Sequence, residues 1–347
     1  MIKALVVDDS AFMRRVIKQM LESDPEIEVI GTARDGAEGV EKTFSLCPDI
    51  VTMDVEMPRM NGLEATSIIM EKQPLPILMV SSLTTEGAYA TFDALDRGAA
   101  DYISKNLVTS AIDILKIQEE LIAKTKALGR KANRLAGVRP FRKPEGVITV
   151  RKGFGGTQKV GFVAIGASTG GPRAIQEVLT HLPGDLATPF LVAIHMPKAF
   201  TGAFAERLHS LSKLPVKEAE NGEKILSGCV YLTPGGTQTR MKKRSLTEVY
   251  VEIKNDPEDL LYKPSVDVCM KSVAECYLGM SMGVILTGMG HDGLEGMKAI
   301  KSQGGKTIAQ SEDTCTVYGM PKAVVDAGIA DKVVPLDKIA AEIVNMI

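Results

Sequence analysis

The chain has 347 residues, 45% of them hydrophobic and 24% charged, which is enough material for two domains of about 150 residues each. Its formal net charge of −2 supplies no overall attraction to nucleic acid or to an acidic membrane surface. No apolar run approaches the ~20 residues that a membrane span requires, so membrane insertion is not expected.

The first third alternates strand and helix. Apolar, β-branched runs occur at Ala4–Val7, Val29–Ala33, Ile50–Val55, Ile77–Val80 and Tyr102–Ile103, with amphipathic stretches such as Phe12–Leu21 and Leu63–Met70 between them. Five such units predict a parallel sheet covered on both faces. From Lys124 to Lys159 there are eleven Lys or Arg and a single acid, Glu145, with Gly and Pro throughout. That composition predicts a solvated basic linker over 124–157, with a docking arm for an acidic partner as the alternative. Strand–helix alternation then resumes over 158–347. Strands are expected at Val160–Ile165, Phe190–Ile194, Val230–Leu232, Val249–Ile253, Gly283–Thr287 and Thr307–Ala309. Helices are expected at Arg173–His181, Ala203–Leu211, Val266–Tyr277, Leu294–Lys301 and Leu336–Met346. Met1 leads straight into a strand-like run without the basic and apolar segments of a signal peptide. The five cysteines are scattered and never spaced Cys-x-x-Cys, which argues against a disulfide framework or zinc site. A cytoplasmic location is the expectation.

In the first domain Asp8 and Asp9 follow one strand and Asp54 ends another. The C-terminal strand ends of a parallel sheet form one crevice, where these carboxylates converge. Clustered carboxylates repel unless a hard cation lies between them, and Mg²⁺ suits oxygen ligands. Ser81 adds a hydroxyl and Lys105 a positive charge at the same edge, which makes a site for a phosphoryl group. The segments Val-Asp-Asp-Ser (7–10), Met-Asp-Val-Glu-Met-Pro-Arg-Met-Asn-Gly (53–62), Val-Ser-Ser (80–82) and Tyr-Ile-Ser-Lys (102–105) carry a resemblance. Residues 1–123 resemble the receiver domain of two-component response regulators, a flavodoxin-like (βα)5 fold. The resemblance implies that Asp54 accepts a phosphoryl group from a chemotaxis histidine kinase. It also implies that Asp9, Asp54 and the backbone carbonyl of Glu56 ligate Mg²⁺ with Asp8 acting through water, that Ser81 and Tyr102 form the switch pair, and that Lys105 pairs with the acyl phosphate. Receivers usually carry Lys-Pro where this chain has Lys105-Asn106.

In the second domain, Gly166-x-Ser168-x-Gly170 follows a strand and precedes a helix, the form of a nucleophile elbow. Amides of the turn at Thr169 and Gly170 suit an oxyanion. Two alternatives compete: a serine that only caps a helix, and a phosphate-binding turn. A dinucleotide fingerprint needs Gly-x-Gly-x-x-Gly and an acid at the end of the next strand. Here Ser168 holds the middle place and the next strand ends in His195. Asp292, in Gly288-Met-Gly-His-Asp-Gly293, completes a triad delivered by three strand ends. Asp292 as a helix N-cap, and His291 as base with Asp267 as its orienter, remain open. His181 and His209 read as structural.

Further segments carry a second resemblance: Ala-Ile-Gly-Ala-Ser-Thr-Gly-Gly-Pro (164–172), His-Met-Pro (195–197), Lys-Pro-Ser-Val-Asp-Val (263–268), Leu-Thr-Gly-Met-Gly (286–290) and Tyr-Gly-Met-Pro (318–321). They resemble the chemotaxis protein-glutamate methylesterases, in which a receiver is joined to a doubly wound α/β serine hydrolase domain. The resemblance implies Ser168 as nucleophile, His195 as base and Asp292 as orienter, with Met289 in the oxyanion site and no cofactor for the ester chemistry. The implied substrates are glutamate γ-methyl esters of methyl-accepting chemotaxis receptors, with receptor glutamine amides as a second expected class. The fusion implies that the receiver restrains the hydrolase until Asp54 is phosphorylated. Gln238 and Leu261-Tyr262 depart from the family, which often has histidine in those places. A phosphorylation-gated adaptor without catalysis is the competing class.

Overall fold

The computed structural model describes residues 1–105, 111–132, 159–245, 248–255 and 260–347. They form two compact units, one on each side of residues 133–158.

The first unit runs β1 (Ile2–Val7), α1 (Ala11–Glu22), β2 (Ile27–Ala33), α2 (Gly36–Leu46), β3 (Ile50–Asp54), α3 (Gly62–Lys72), β4 (Ile77–Ser81), α4 (Thr85–Asp96), β5 (Asp101–Ser104) and α5 (Ala111–Ala132). Its five strands are all parallel in the order β2-β1-β3-β4-β5. Every residue of β3 and β4 is buried, because helices cover both faces of the sheet. Each of the first four helices starts at a side-chain cap, from Ser10, Asp35, Asn61 or Thr84.

The first part of the stretch expected as a linker from Lys124 is helical, because α5 continues to Ala132. Leu121, Lys124 and Leu128 recur at helical spacing and are buried, so the apolar stripe carries the helix through the first basic residues. Those basic residues have partners in this unit. Lys126 pairs with Asp24 at 2.9 Å, and Arg130 pairs with Glu26. The remainder of the expected linker, from 133, and the Asn106 of Lys105-Asn106 lie outside the described residues.

The second unit runs β6 (Phe162–Ala167), α6 (Gly171–His181), β7 (Phe190–Ile194), α7 (Lys198–Leu211), β8 (Val216–Glu218), β9 (Val230–Leu232), β10 (Gln238–Lys243), β11 (Val249–Lys254), α8 (Val266–Cys276), β12 (Ser281–Ile285), α9 (Leu294–Ser302), β13 (Lys306–Gln310), α10 (Met320–Asp326), β14 (Lys332–Val334) and α11 (Leu336–Met346). Seven parallel strands take the order β14-β13-β12-β6-β7-β9-β8. The chain winds from β6 outward through β7 and later returns to the other side of β6 with β12. The crevice of this doubly wound sheet therefore opens at the C-terminal ends of β12, β6 and β7. An antiparallel hairpin, β10–β11, lies outside the sheet and is tied to α8 by Met241 N–H donating to Ser272 Oγ at 2.9 Å.

Sequence reading missed β8, β10 and β14. Two are three residues long, and β10 reads Gln-Thr-Arg-Met-Lys-Lys, too polar for an apolar run.

Candidate functional site

At the C-terminal edge of the first sheet, one ligand oxygen from each of Asp8, Asp9 and Asp54 lies within 4.8 Å of the others. Asp8 and Asp54 are buried and Asp9 is exposed. Lys105 Nζ lies 3.0 Å from Asp8 Oδ2 and also contacts Asp54. Burial, reinforced by the neighbouring Asp8 charge, pushes the Asp54 carboxyl up to about 6 against the pull of Lys105. Burial disfavours the Lys105 charge, but Asp54 and Asp8 outweigh it and hold the ammonium above its ordinary value. Arg14 was not anticipated from sequence. Its guanidinium donates to the carbonyls of Asp8 (2.7 Å) and Asp9 (3.0 Å), which sets the backbone that presents both acids. Ser81 Oγ donates to the Gly87 carbonyl at 3.2 Å, and the Tyr102 ring is buried beside Lys124 Nζ. Glu56 is exposed beside Asp9 on a cleft of about 600 Å³. Hard carboxylate oxygens with one half-buried lysine fit Mg²⁺ and an added phosphoryl group.

In the second unit, Ser168 follows β6, His195 follows β7 and Asp292 lies in the loop after β12. These are three adjacent strands, as their parallel pairing requires. His195 Nε2 donates to Asp292 Oδ2 at 2.8 Å, which leaves Nδ1 as the nitrogen available for proton transfer. No hydrogen bond joins Ser168 Oγ to His195 among the described residues, a looseness common in hydrolases before substrate binds.

The serine is not a helix cap. Gly170 holds the N-cap of α6 in a left-handed conformation, φ +74°, and a Cβ there would stand 2.3 Å from Thr316 Oγ1. The Thr169 carbonyl is held by Thr287 Oγ1 at 2.9 Å, and Ser168 N–H donates to the Thr287 carbonyl at 3.0 Å. Among the described residues no acceptor is found for the N–H groups of Thr169, Gly170 or Met289, which leaves them able to face an oxyanion.

Asp292 is not an N-cap either. Gly293 occupies that place before α9, without a side-chain bond. Instead the buried carboxylate sits on the N-terminus of α8. Oδ2 accepts from Val266 N–H at 2.7 Å, while Oδ1 accepts from Ser265 Oγ at 2.9 Å and Asp267 N–H at 3.1 Å. Gly166 makes room for this, since a Cβ there would lie 2.3 Å from Val266 Cγ1. Burial pushes the Asp292 carboxyl up, but the hydrogen bond and charge of His195 and the two amides prevail and hold it below the usual carboxylate range. His291 is exposed, and Asp267 accepts from Gly296 N–H at 2.7 Å rather than orienting that histidine. His181 Nδ1 bonds its own helix at the Glu177 carbonyl, and His209 Nδ1 accepts from Val216 N–H, both structural tasks.

The two departures from the family pattern meet at this site. Tyr262 lies flat on His195, ring centroids 4.1 Å apart and planes 6° apart. Gln238, fully buried, bonds both Tyr262 and Ser265. Gln238 and Tyr262 stood out in the sequence only as departures bearing on substrate contact outside the triad, and Ser265 and Thr287 were not read as active-site residues. The Lys-Pro-Ser-Val-Asp-Val segment was the available signal for Ser265.

Comparison with known proteins covers both units. Residues 163–343 match the CheB methylesterase family, and residues 4–115 match the response regulator receiver domain family. A protein of Nitratidesulfovibrio vulgaris named protein-glutamate methylesterase/protein-glutamine glutaminase 2 is 48% identical over 365 residues, 99% of each chain. A similarly named protein of Geobacter metallireducens is 49% identical over 351 residues, 99% of this chain and 97% of its own. The crystal structure of the Thermotoga maritima CheB methylesterase catalytic domain superposes with a TM-score of 0.53 at 39% identity, over 55% of this chain and all of that one. With more than half the chain matched and relatives similar along its whole length, this protein belongs to the CheB methylesterase family, with a response regulator receiver domain at its N-terminus.

Proposed function

We propose that the chain is a phosphorylation-activated protein-glutamate methylesterase of the cytoplasm. It hydrolyses glutamate γ-methyl esters on methyl-accepting chemotaxis receptors and deamidates receptor glutamines to glutamate. The observation that carries the reading is the His195–Asp292 pair, with its carboxylate anchored on α8, beside Ser168 on a tight strand-to-helix turn.

Ser168 Oγ attacks the γ-carbonyl carbon and its proton passes to His195. The oxyanion is received by the N–H groups of Thr169 and Gly170, with Met289 beside them. His195 returns the proton to the leaving methoxide, or to the amide nitrogen when glutamine is the substrate, and methanol or ammonia departs. Water, deprotonated by His195, then attacks the acyl carbon, the bond to Ser168 Oγ breaks as His195 passes that proton to it, and glutamate is released. Asp292 orients the imidazole and stabilises its protonated form throughout.

In the receiver, Asp54 accepts the phosphoryl group from a chemotaxis histidine kinase. Asp9, Asp54 and the carbonyl of Glu56, with Asp8 through water, would hold Mg²⁺, which would offset the negative charge of the incoming phosphoryl group. Lys105, already against Asp54, would pair with the acyl phosphate, and Ser81 and Tyr102 would respond to it.

The test is methanol release from methylated chemoreceptor membranes in Mg²⁺, with and without a small-molecule phosphodonor. Release that rises with the donor and vanishes in Ser168→Ala supports the reading. If no release occurs in either condition, the esterase assignment is wrong.

A further inference from the structure

Gln238 is the first residue of β10 and is fully buried, yet its side chain bonds to none of Ser168, His195 and Asp292. Both ends of its carboxamide are used on one short segment. Nε2 donates to the Tyr262 carbonyl at 2.6 Å, and Oε1 accepts from Ser265 N–H at 2.9 Å. A third bond, from Gly236 N–H to the Lys263 carbonyl at 3.0 Å, ties the same segment to the turn before Gln238. The segment belongs to no helix or strand, so these bonds define its shape.

Two side chains leave the strapped segment for the active site. Tyr262 lays its ring on the face of His195, and Ser265 Oγ donates to Asp292 Oδ1. Stacking leaves both imidazole nitrogens free at the ring edge while opposing rotation of the ring. That rotation would carry Nε2 away from Asp292. The tyrosine face also lies against the ring that becomes positive when His195 is protonated, a favourable cation–π arrangement. The Ser265 arm fixes the other partner of the same hydrogen bond. One carboxamide therefore sets both members of the His195–Asp292 pair.

We propose that Gln238 is a positioning residue of the esterase site: by clamping Tyr262–Ser265 it keeps Tyr262 stacked on His195 and Ser265 on Asp292. The proposal rests on His195 being the base, as argued above. A planar group with a donor at one end and an acceptor at the other is what the two bonds demand. Methionine matches glutamine in length but offers neither bond. Glutamate keeps the acceptor for Ser265 N–H but as a carboxylate sets an oxygen against the Tyr262 carbonyl.

The full-length chain carries four histidines, so the His195 ring protons can be assigned by NMR against His195→Asn. In the wild type these protons should be shifted upfield by the ring current of Tyr262, and Tyr262→Leu should abolish that shift. Gln238→Met and Gln238→Glu should lose it too, while still unfolding in a single cooperative thermal transition. Their kcat for methanol release should fall about ten- to a hundredfold, the scale of a misplaced catalytic group, with a much smaller change in KM. Should Gln238→Met fail to fold, Gln238→Glu decides. A folded Gln238 variant that keeps both the upfield shift and the wild-type kcat would overturn the proposal. If the wild type released no methanol, the esterase reading would fall, while the ring-current comparison would still decide whether Gln238 holds the stack.

Discussion

At Asp292, burial opposes the charge, while the His195 ring, the Ser265 hydroxyl and the amides of Val266 and Asp267 all favour it. Both carboxylate oxygens accept hydrogen bonds, so an amide cannot replace the carboxylate: whichever way an asparagine side chain were turned, its NH₂ would meet donors. Asp292→Asn should therefore cost about 1–3 kcal/mol in urea unfolding of the catalytic unit. It should also lower kcat by about 10⁴-fold, because the imidazole loses its orienting acceptor. The pH dependence follows from the direction of the shift. A carboxyl whose folded pKa lies below its unfolded value, about 3.9, contributes stability above that pH and loses it as the pH falls through the folded value. The Asp292→Asn penalty should accordingly shrink in acid, which urea midpoints at pH 7 and pH 3 would check. Ser168→Ala and His195→Ala should each lower kcat by about 10⁴- to 10⁶-fold, and an active His195→Ala would transfer the base role elsewhere.

Among the elements, α5 shows how a charged stretch can be structural. Lys124 lies under Tyr102, donates to its carbonyl at 2.7 Å and pairs with buried Asp101 at 2.9 Å. Burial works against this ammonium, but Asp101 and Glu120 outweigh it and raise its pKa. Lys124→Met should destabilise the receiver by about 3–5 kcal/mol, because Asp101, whose carboxyl burial already pushes up, is left buried without its counter-charge. Urea unfolding of the receiver transition measures this, and a loss under about 1 kcal/mol would show that Asp101 is neutral or solvated in the variant. The turn after β3 is equally unforgiving, since a Cβ on Gly62 would lie 1.9 Å from the Asp54 carbonyl. At the start of α3 the Asn61 side chain and the Glu64 side chain form a capping box.

For the whole molecule, the prediction concerns control of one unit by the other. Asp54→Asn should abolish stimulation of methanol release by a phosphodonor while leaving basal release measurable, since Asp54 has no part in the ester chemistry. A chain beginning near Val150 should release methanol faster than the full chain without phosphodonor. Equal rates would exclude restraint by the receiver as the basis of activation.

Strand ends were legible in the sequence, because a fully buried parallel strand is a short apolar run and its end is marked by the first polar residue or glycine. That local pattern located Asp8, Asp9, Asp54, Ser81 and Lys105 on one edge, and Ser168 and His195 on another, with the doubly wound fold that aligns them. It could not say what surrounds each side chain. The contacts of Asp292 with the start of α8, and of Gln238 with Tyr262, join residues 26 and 24 positions apart. They are single polar contacts with no periodic trace, so only the closed tertiary structure brings them together. The same reason applies where the expected linker starts: composition does not mark Lys124, Lys126 and Arg130 as helical, and the packing of α5 against β1, β3 and β5 decides it.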